Sequence, residues 1–211
     1  MSGIALIDYG MGNLMSVSKA LEYVGGAVRL VRTPSEAAGA SGLVLPGVGA
    51  FGDGMEHLEA SGWVPFLRER TAAGLPLMGI CLGMQMLLDS SEESPGVAGL
   101  GLIPGKVLRF PDAGLKVPQI GWNSIVPKEG NPFLRGIRKD AFFYFVHSFY
   151  AQPADESDTA ATCHYMIAFA AAVRRGRIFA TQFHPDKSQD CGLTVLRNFV
   201  EICREGGGAE C

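Results

Sequence analysis

The stretch that constrains this chain most is Leu75-Pro-Leu-Met-Gly-Ile-Cys81-Leu-Gly-Met-Gln85-Met-Leu-Leu88. A short apolar run is cut by Gly79-x-Cys81-x-Gly83 and then resumes with helical spacing. That order predicts a strand, a sharp turn and a helix, with Cys81 lifted over the end of a parallel sheet in the manner of a Gly-x-nucleophile-x-Gly elbow. The flanking residues are small because such a turn presses them against the neighbouring strand and helix. At the helix start, unpaired backbone N–H groups and the helix dipole favour the thiolate form of a cysteine. A packed, inert cysteine fits the same stretch, since free cysteine is among the most buried residue types.

The rest of the composition narrows the setting. With 211 residues, 47% hydrophobic and 18% charged, the chain can bury a large core. One domain over 1–205 with a fraying Gly206-Gly-Gly208 tail over 206–211 is expected. The net charge is -3 and Lys and Arg are scattered singly, which leaves no electrostatic footprint for nucleic acid. Five cysteines, Cys81, Cys163, Cys191, Cys203 and Cys211, show no CxxC or Cys/His ligand spacing, so neither a disulfide framework nor a metal site is expected. The N-terminal residues lack a basic, apolar leader, and the run Met166 to Val173 is too short to span a bilayer. A soluble, cytoplasmic protein is the expectation.

Taken in order, Ile4 to Asp8 is a buried-strand run followed by Leu14, Val17, Leu21 and Val24 at helical spacing. Gly10-x-Gly12 precedes that helix, but Met15 stands at the third glycine position of a dinucleotide fingerprint and no acid ends the next strand, Ala27 to Val31. No nicotinamide or flavin cofactor is called for. Gly42 to Leu45 is a further strand, and it runs into Pro46-Gly-Val-Gly49-Ala-Phe-Gly-Asp53. A glycine-rich loop at the C-terminal end of a parallel strand is either a plain turn or a source of backbone N–H groups for an anion. Ser61 to Gly74 reads as a covering helix. Asp89-Ser-Ser-Glu-Glu93 reads as the acidic end of the elbow helix, and Ala141 to Tyr150 as one aromatic strand. Antiparallel strands are expected from Pro95 to Pro127, and a hairpin from Ile167 to Phe183. A closing helix follows, with Leu193, Leu196, Phe199, Val200 and Cys203 on its apolar side.

Of the four histidines, His57 and His164 read as structural. His184 directly follows a buried strand, with Asp186 two residues on, as expected of a general base held by an orienting acid. An ordinary turn with a satisfied histidine is the plainer alternative.

Five motifs then occur in a fixed order: Pro46-Gly-Val-Gly49, Gly79-Ile-Cys-Leu-Gly-Met-Gln85, Gly121-Trp-Asn123, Tyr144-Phe-Val-His-Ser-Phe149 and Gln182-Phe-His-Pro-Asp-Lys-Ser188. Together they resemble the class I glutamine amidotransferases over nearly the whole chain. Asp8-Tyr-Gly-Met-Gly-Asn13 and the Pro-Gly-Val-Gly loop are, more narrowly, similar to the glutaminase subunits of imidazole glycerol-phosphate synthases, from histidine biosynthesis. The resemblance implies an α/β fold, a mostly parallel open flavodoxin-like sheet flanked by helices with an added antiparallel portion. It implies Cys81, His184 and Asp186 as a catalytic triad, with backbone N–H groups of Leu82 and the Val48 loop holding the oxyanion. Glutamine would be gripped by Gly49, Gln85, Glu93 and the His147-Ser148-Phe149 backbone. No cofactor and no metal are implied. The implied partner is a (β/α)₈ cyclase subunit, in a heterodimer that channels ammonia, with Asn13, Trp122, Tyr144 and Lys187 on the docking face. Ordinary surface or core packing is the alternative for those four.

One position departs from the family, which places Glu where this chain has Asp186. Losing a methylene withdraws the carboxylate by roughly 1.5 Å, so the backbone or the imidazole must shift to keep an orienting hydrogen bond. Two other readings stand beside the main one: a different class I glutaminase, such as that of pyridoxal phosphate synthesis, and a non-catalytic regulatory subunit that keeps the fold.

Overall fold

Parallel strands covered on both faces are built from unbroken apolar runs. In the computed structural model, which describes residues 3–206, such runs form β1 (Ile4–Ile7), β3 (Gly42–Gly47) and β4 (Leu77–Cys81), buried along their whole length. The strand between them in sequence, β2 (Val28–Val31), lies at the sheet's edge and is half exposed. The helices are α1 (Leu14–Tyr23), α2 (Phe51–Ala60), α3 (Trp63–Ala72), a five-residue α4 (Leu82–Met86) and the long closing α5 (Gln189–Gly206). After α4 the chain turns to β5 (Ser90–Ser91), β6 (Gly105–Arg109), β7 (Gln119–Pro127), β8 (Ala141–His147), β9 (Phe149–Pro153), β10 (Thr159–Tyr165), β11 (Ile167–Arg175) and β12 (Ile178–Thr181).

These strands make one mixed sheet whose main path runs β2-β1-β3-β4-β12-β11-β10-β7-β8. From β2 to β12 neighbours are parallel, and from β12 to β8 they are antiparallel. The expected parallel sheet with an antiparallel extension is therefore what forms. Alternation along the central strands splits the core in two. Leu6, Val44, Met78 and Ile80 pack with α1 and α5 through Val17, Leu21, Phe199 and Val200. Ile7, Leu43, Leu45 and Leu77 pack with α2 and α3 through Phe51, Leu58, Trp63 and Leu67.

Two local expectations are corrected. Asp89 to Glu93 does not end a helix, because α4 stops at Met86 and Ser90–Ser91 pairs with β6 instead. The acids there are spent on backbone N–H groups, Asp89 accepting from Gly105 at 2.8 Å and Glu92 from Arg109 at 2.8 Å. The Ala141 to Tyr150 run is two strands broken at Ser148, since β8 pairs with β7 while β9 pairs with β6 and β11. Of the glycine tail expected over 206–211, Gly206 is the last residue of α5, and 207–211 lie outside the described residues.

Candidate active site

Cys81 ends β4 with φ 56 and ψ -111, a backbone conformation that a residue with a side chain adopts only when its surroundings impose it. The glycines on either side are what permit it. A Cβ on Gly83 would stand 1.9 Å from the Leu45 carbonyl oxygen, and one on Gly79 would stand 2.9 Å from the Gly83 carbonyl oxygen. The turn that the sequence predicts is thus present, and it leaves the Cys81 side chain 7% exposed.

β12 lies parallel to β4 with Thr181 level with Ile80, which carries His184 off the strand's end beside Cys81. The backbone of His184 is pinned to β8: its N–H donates to Tyr144 O at 3.0 Å, and its carbonyl accepts from Ser188 Oγ at 2.6 Å. Pro185–Lys187 form a short 3-10 turn that brings Asp186 back under the ring. Both side chains are almost wholly enclosed, at 4% and 0% exposure, and His184 Nδ1 lies 3.8 Å from Asp186 Oδ1. That is an ion-pair distance, too long for a hydrogen bond. Neither carboxylate oxygen has a hydrogen-bond partner, nor has His184 Nε2. The missing methylene of Asp186 is visible here as a gap. Burial, the largest single influence on both groups, works against their charges. The attraction of Asp186 and Cys81 outweighs it and raises His184 to about 9, while His184 holds Asp186 below the usual carboxylate range.

A cavity of about 330 Å³ opens over Cys81 and His184. Val48, Gly49 and Leu82 line one side, because Gly47 at the end of β3 is level with Cys81 and delivers the glycine loop to the nucleophile. Gln85 and Glu93 line another side, and His147, Ser148 and Phe149 at the β8–β9 break close a third. Every residue expected to touch glutamine or the oxyanion is therefore on one wall or another. Glu93 does more than face the cavity: its Oε2 accepts the Phe51 N–H at 2.8 Å, at the start of α2. The His147 ring is neutral, since burial pushes it down to about 4. It bonds the Phe149 carbonyl through Nδ1 at 2.8 Å, and its Nε2 lies 2.9 Å from the Gln119 side-chain amide. Lys187 reaches the rim, where its Nζ sits 5.9 Å from the centre of the Tyr144 ring.

Three of the four docking candidates meet. Trp122 and Tyr144 are cross-strand partners with rings edge to face at 6.2 Å, and Lys187 lies over Tyr144. Asn13 stands apart at the start of α1, where its side chain accepts the Ser16 N–H at 3.4 Å. A shallower groove of about 480 Å³ lies beside Trp122, Phe142 and the first residues of α5, away from the Cys81 cavity and without a histidine. The sequence reading missed Ile120 and Phe142, which share the outer face of β7 and β8 with Trp122 and are 64% and 56% exposed. Their signal in the sequence is the recurrence of large apolar residues at alternate positions, Ile120 and Trp122 on one strand and Phe142, Tyr144 and Val146 on the other. Gln182 opens the motif Gln182-Phe-His-Pro-Asp-Lys-Ser188, but nothing in the sequence alone points to a role for its side chain.

The geometry agrees with comparisons to known proteins. The family described as Glutamine amidotransferase class-I matches residues 5–203. The imidazole glycerol phosphate synthase subunit HisH of Moorella thermoacetica is 50% identical over 210 residues, covering 99% of each chain. The subunit of the same name from Methanosarcina barkeri is 49% identical over 205 residues, covering 96% of this chain and 100% of the other. Among solved structures, a protein titled as a glutamine amidotransferase superposes with a TM-score of 0.76 at 20% identity, covering 96% of this chain and 100% of the other. The PurLQS structure from Thermotoga maritima gives 0.76 at 18% identity, covering 95% and 99%; at these identities the likeness concerns the fold. By sequence over almost its full length, the chain belongs to the class I glutamine amidotransferases and, within them, to the HisH subunits of imidazole glycerol phosphate synthase.

Proposed function

We propose that the chain is the glutaminase half of an imidazole glycerol phosphate synthase, splitting glutamine into glutamate and ammonia and passing the ammonia to a separate cyclase subunit in the cytoplasm. The observation that carries the reading is the meeting of Cys81, on its strained turn, with the enclosed His184 and Asp186 over one cavity.

The Cys81 thiolate attacks the side-chain amide carbon of glutamine, and the oxygen that gains charge is held by backbone N–H groups of Leu82 and the Val48 loop. His184, protonated at neutral pH with its value raised to about 9, gives its proton to the departing nitrogen, and ammonia leaves. The same ring then takes a proton from water, the hydroxide adds to the thioester carbon, and collapse releases glutamate and the thiolate. Asp186 orients the ring and stabilises its charge. Glu93 receives the substrate ammonium, while Gly49, Gln85 and the backbone of residues 147–149 hold the rest of the amino-acid end.

Ammonia set free in water is protonated and lost, so a partner has to seal the cavity. The exposed apolar face of Ile120, Trp122, Phe142 and Tyr144, with Lys187 beside it, is the docking surface in this reading.

The test is glutamate formation by the chain alone, with a cyclase subunit, and with that subunit plus its nucleotide substrate. Hydrolysis should be strongest in the third mixture, and none in any of them would end the catalytic reading. Cys81→Ser should abolish glutamine-dependent synthesis by the complex yet leave synthesis from added ammonium intact. Loss of both would make Cys81 structural.

A further inference from the structure

A chain of buried amides reaches the nucleophile, and its inner member, Gln182, has no part in the steps above. Gln182 sits between β12 and Phe183-His184 and is fully buried. Its Nε2 lies 3.8 Å from Cys81 Sγ. Which end of that amide faces the sulfur is decided by Gln85. Gln85 Nε2 lies 3.0 Å from the Phe149 carbonyl oxygen and 3.0 Å from Gln182 Oε1. A carbonyl can only accept, so Gln85 must turn its nitrogen to Phe149. That nitrogen then takes the oxygen of Gln182, and the Gln182 nitrogen is left for the sulfur.

We infer that Gln182 is a positioning residue for the nucleophile: its side-chain N–H donates to the Cys81 sulfur, holds it under the substrate carbon and stabilises its negative charge, with Gln85 as the lock. The inference rests on Cys81 being the nucleophile. It adds to what His184 supplies, because the Val146 carbonyl oxygen, 4.0 Å from the sulfur, repels a thiolate. An amide, unlike His184, keeps its proton at every working pH, and hydrogen bonds to an ionised partner are roughly twice as strong as neutral ones.

Near-isosteric Gln182→Met removes the donor. The readout is iodoacetamide alkylation of Cys81 against pH, in the complex with the cyclase subunit, with the Cys81 peptide followed by mass spectrometry. The ionisable groups around the sulfur are His184 with Asp186 behind it, Tyr9 from the end of β1, and His147, Glu93 and Lys187 around the cavity. All are unchanged in the variant. The expected result is an upward shift of the alkylation midpoint by about one pH unit, equivalent to about tenfold less thiolate at fixed pH. The kcat for glutamine should fall with little change in KM. Gln85→Met should shift the midpoint the same way, and the double variant no further than Gln182→Met alone, since one residue acts through the other.

An unmoved midpoint in folded Gln182→Met protein overturns the inference, as do additive shifts. If the variants fail to fold, the unaltered chain with ¹⁵N-labelled glutamine serves instead. A buried glutamine side-chain amide should titrate with the alkylation midpoint, and none doing so overturns the inference. Glutamate production by the unaltered complex is scored separately; its absence counts against the glutaminase reading and not against the sulfur–amide bond.

Discussion

At the scale of single residues, the short acid at Asp186 decides most. Its carboxylate is fully enclosed and 3.8 Å from His184 Nδ1, so it contributes charge without a made hydrogen bond. Asp186→Glu restores the missing methylene, and the complex should keep its turnover or gain up to about tenfold, read as kcat for glutamate formation. A collapse would show that the site is fitted to the shorter side chain. The ion pair also has a stability signature. His184 binds its proton more tightly in the fold, at about 9, than in the unfolded chain, near 6.5. The stabilisation is therefore complete below about pH 6.5 and is lost as pH rises through about 9. The thermal midpoint of the unaltered chain should exceed that of Asp186→Asn most at pH 6, with the difference narrowing toward pH 9.

Elements were legible in the sequence to the extent that they were long or uniform. The parallel strands stood out as unbroken apolar runs, and α5 as a spaced apolar stripe. The elbow was legible through chemistry more than periodicity, since only glycine fits at positions 79 and 83. Gly83→Ala drives a methyl into the Leu45 carbonyl, and the melting temperature should drop by about 6 °C or more with loss of alkylation at Cys81. Two features were hidden. α4 has five residues, all buried, so no amphipathic pattern marked its end and Asp89 to Glu93 looked like its last turn. The break at Ser148 falls inside an aromatic run whose alternation continues across it, and only the change of partner strand reveals it.

At the scale of the molecule, the order of motifs made the family recognisable, and the separation of those motifs made the site unreadable in detail. Cys81 and Gln182 are 101 residues apart, and their contact exists only because β4 and β12 are neighbours. The docking face is an assembly of the same kind, since β7 and β8 carry Trp122 and Tyr144 while Lys187 arrives from beyond β12. Trp122→Asp should weaken binding of the cyclase subunit by about tenfold or more in a calorimetric titration, with the circular dichroism of the isolated chain unchanged. An unaltered affinity would move the interface elsewhere.

The placement of the nucleophile at the end of β4 and of the base just beyond the end of its neighbour β12 has a consequence for how such a chain can evolve. Neighbouring strands are held about 4.8 Å apart by their hydrogen bonds, so the spacing between Cys81 and His184 is inherited from the sheet and has almost no freedom to drift. Variation that changes activity must then accumulate in backbone that the sheet does not clamp, above all the Val48–Gly49 loop. A laboratory selection for glutaminase that no longer needs its partner should return substitutions in residues 48–50, and leave β3, β4 and β12 untouched.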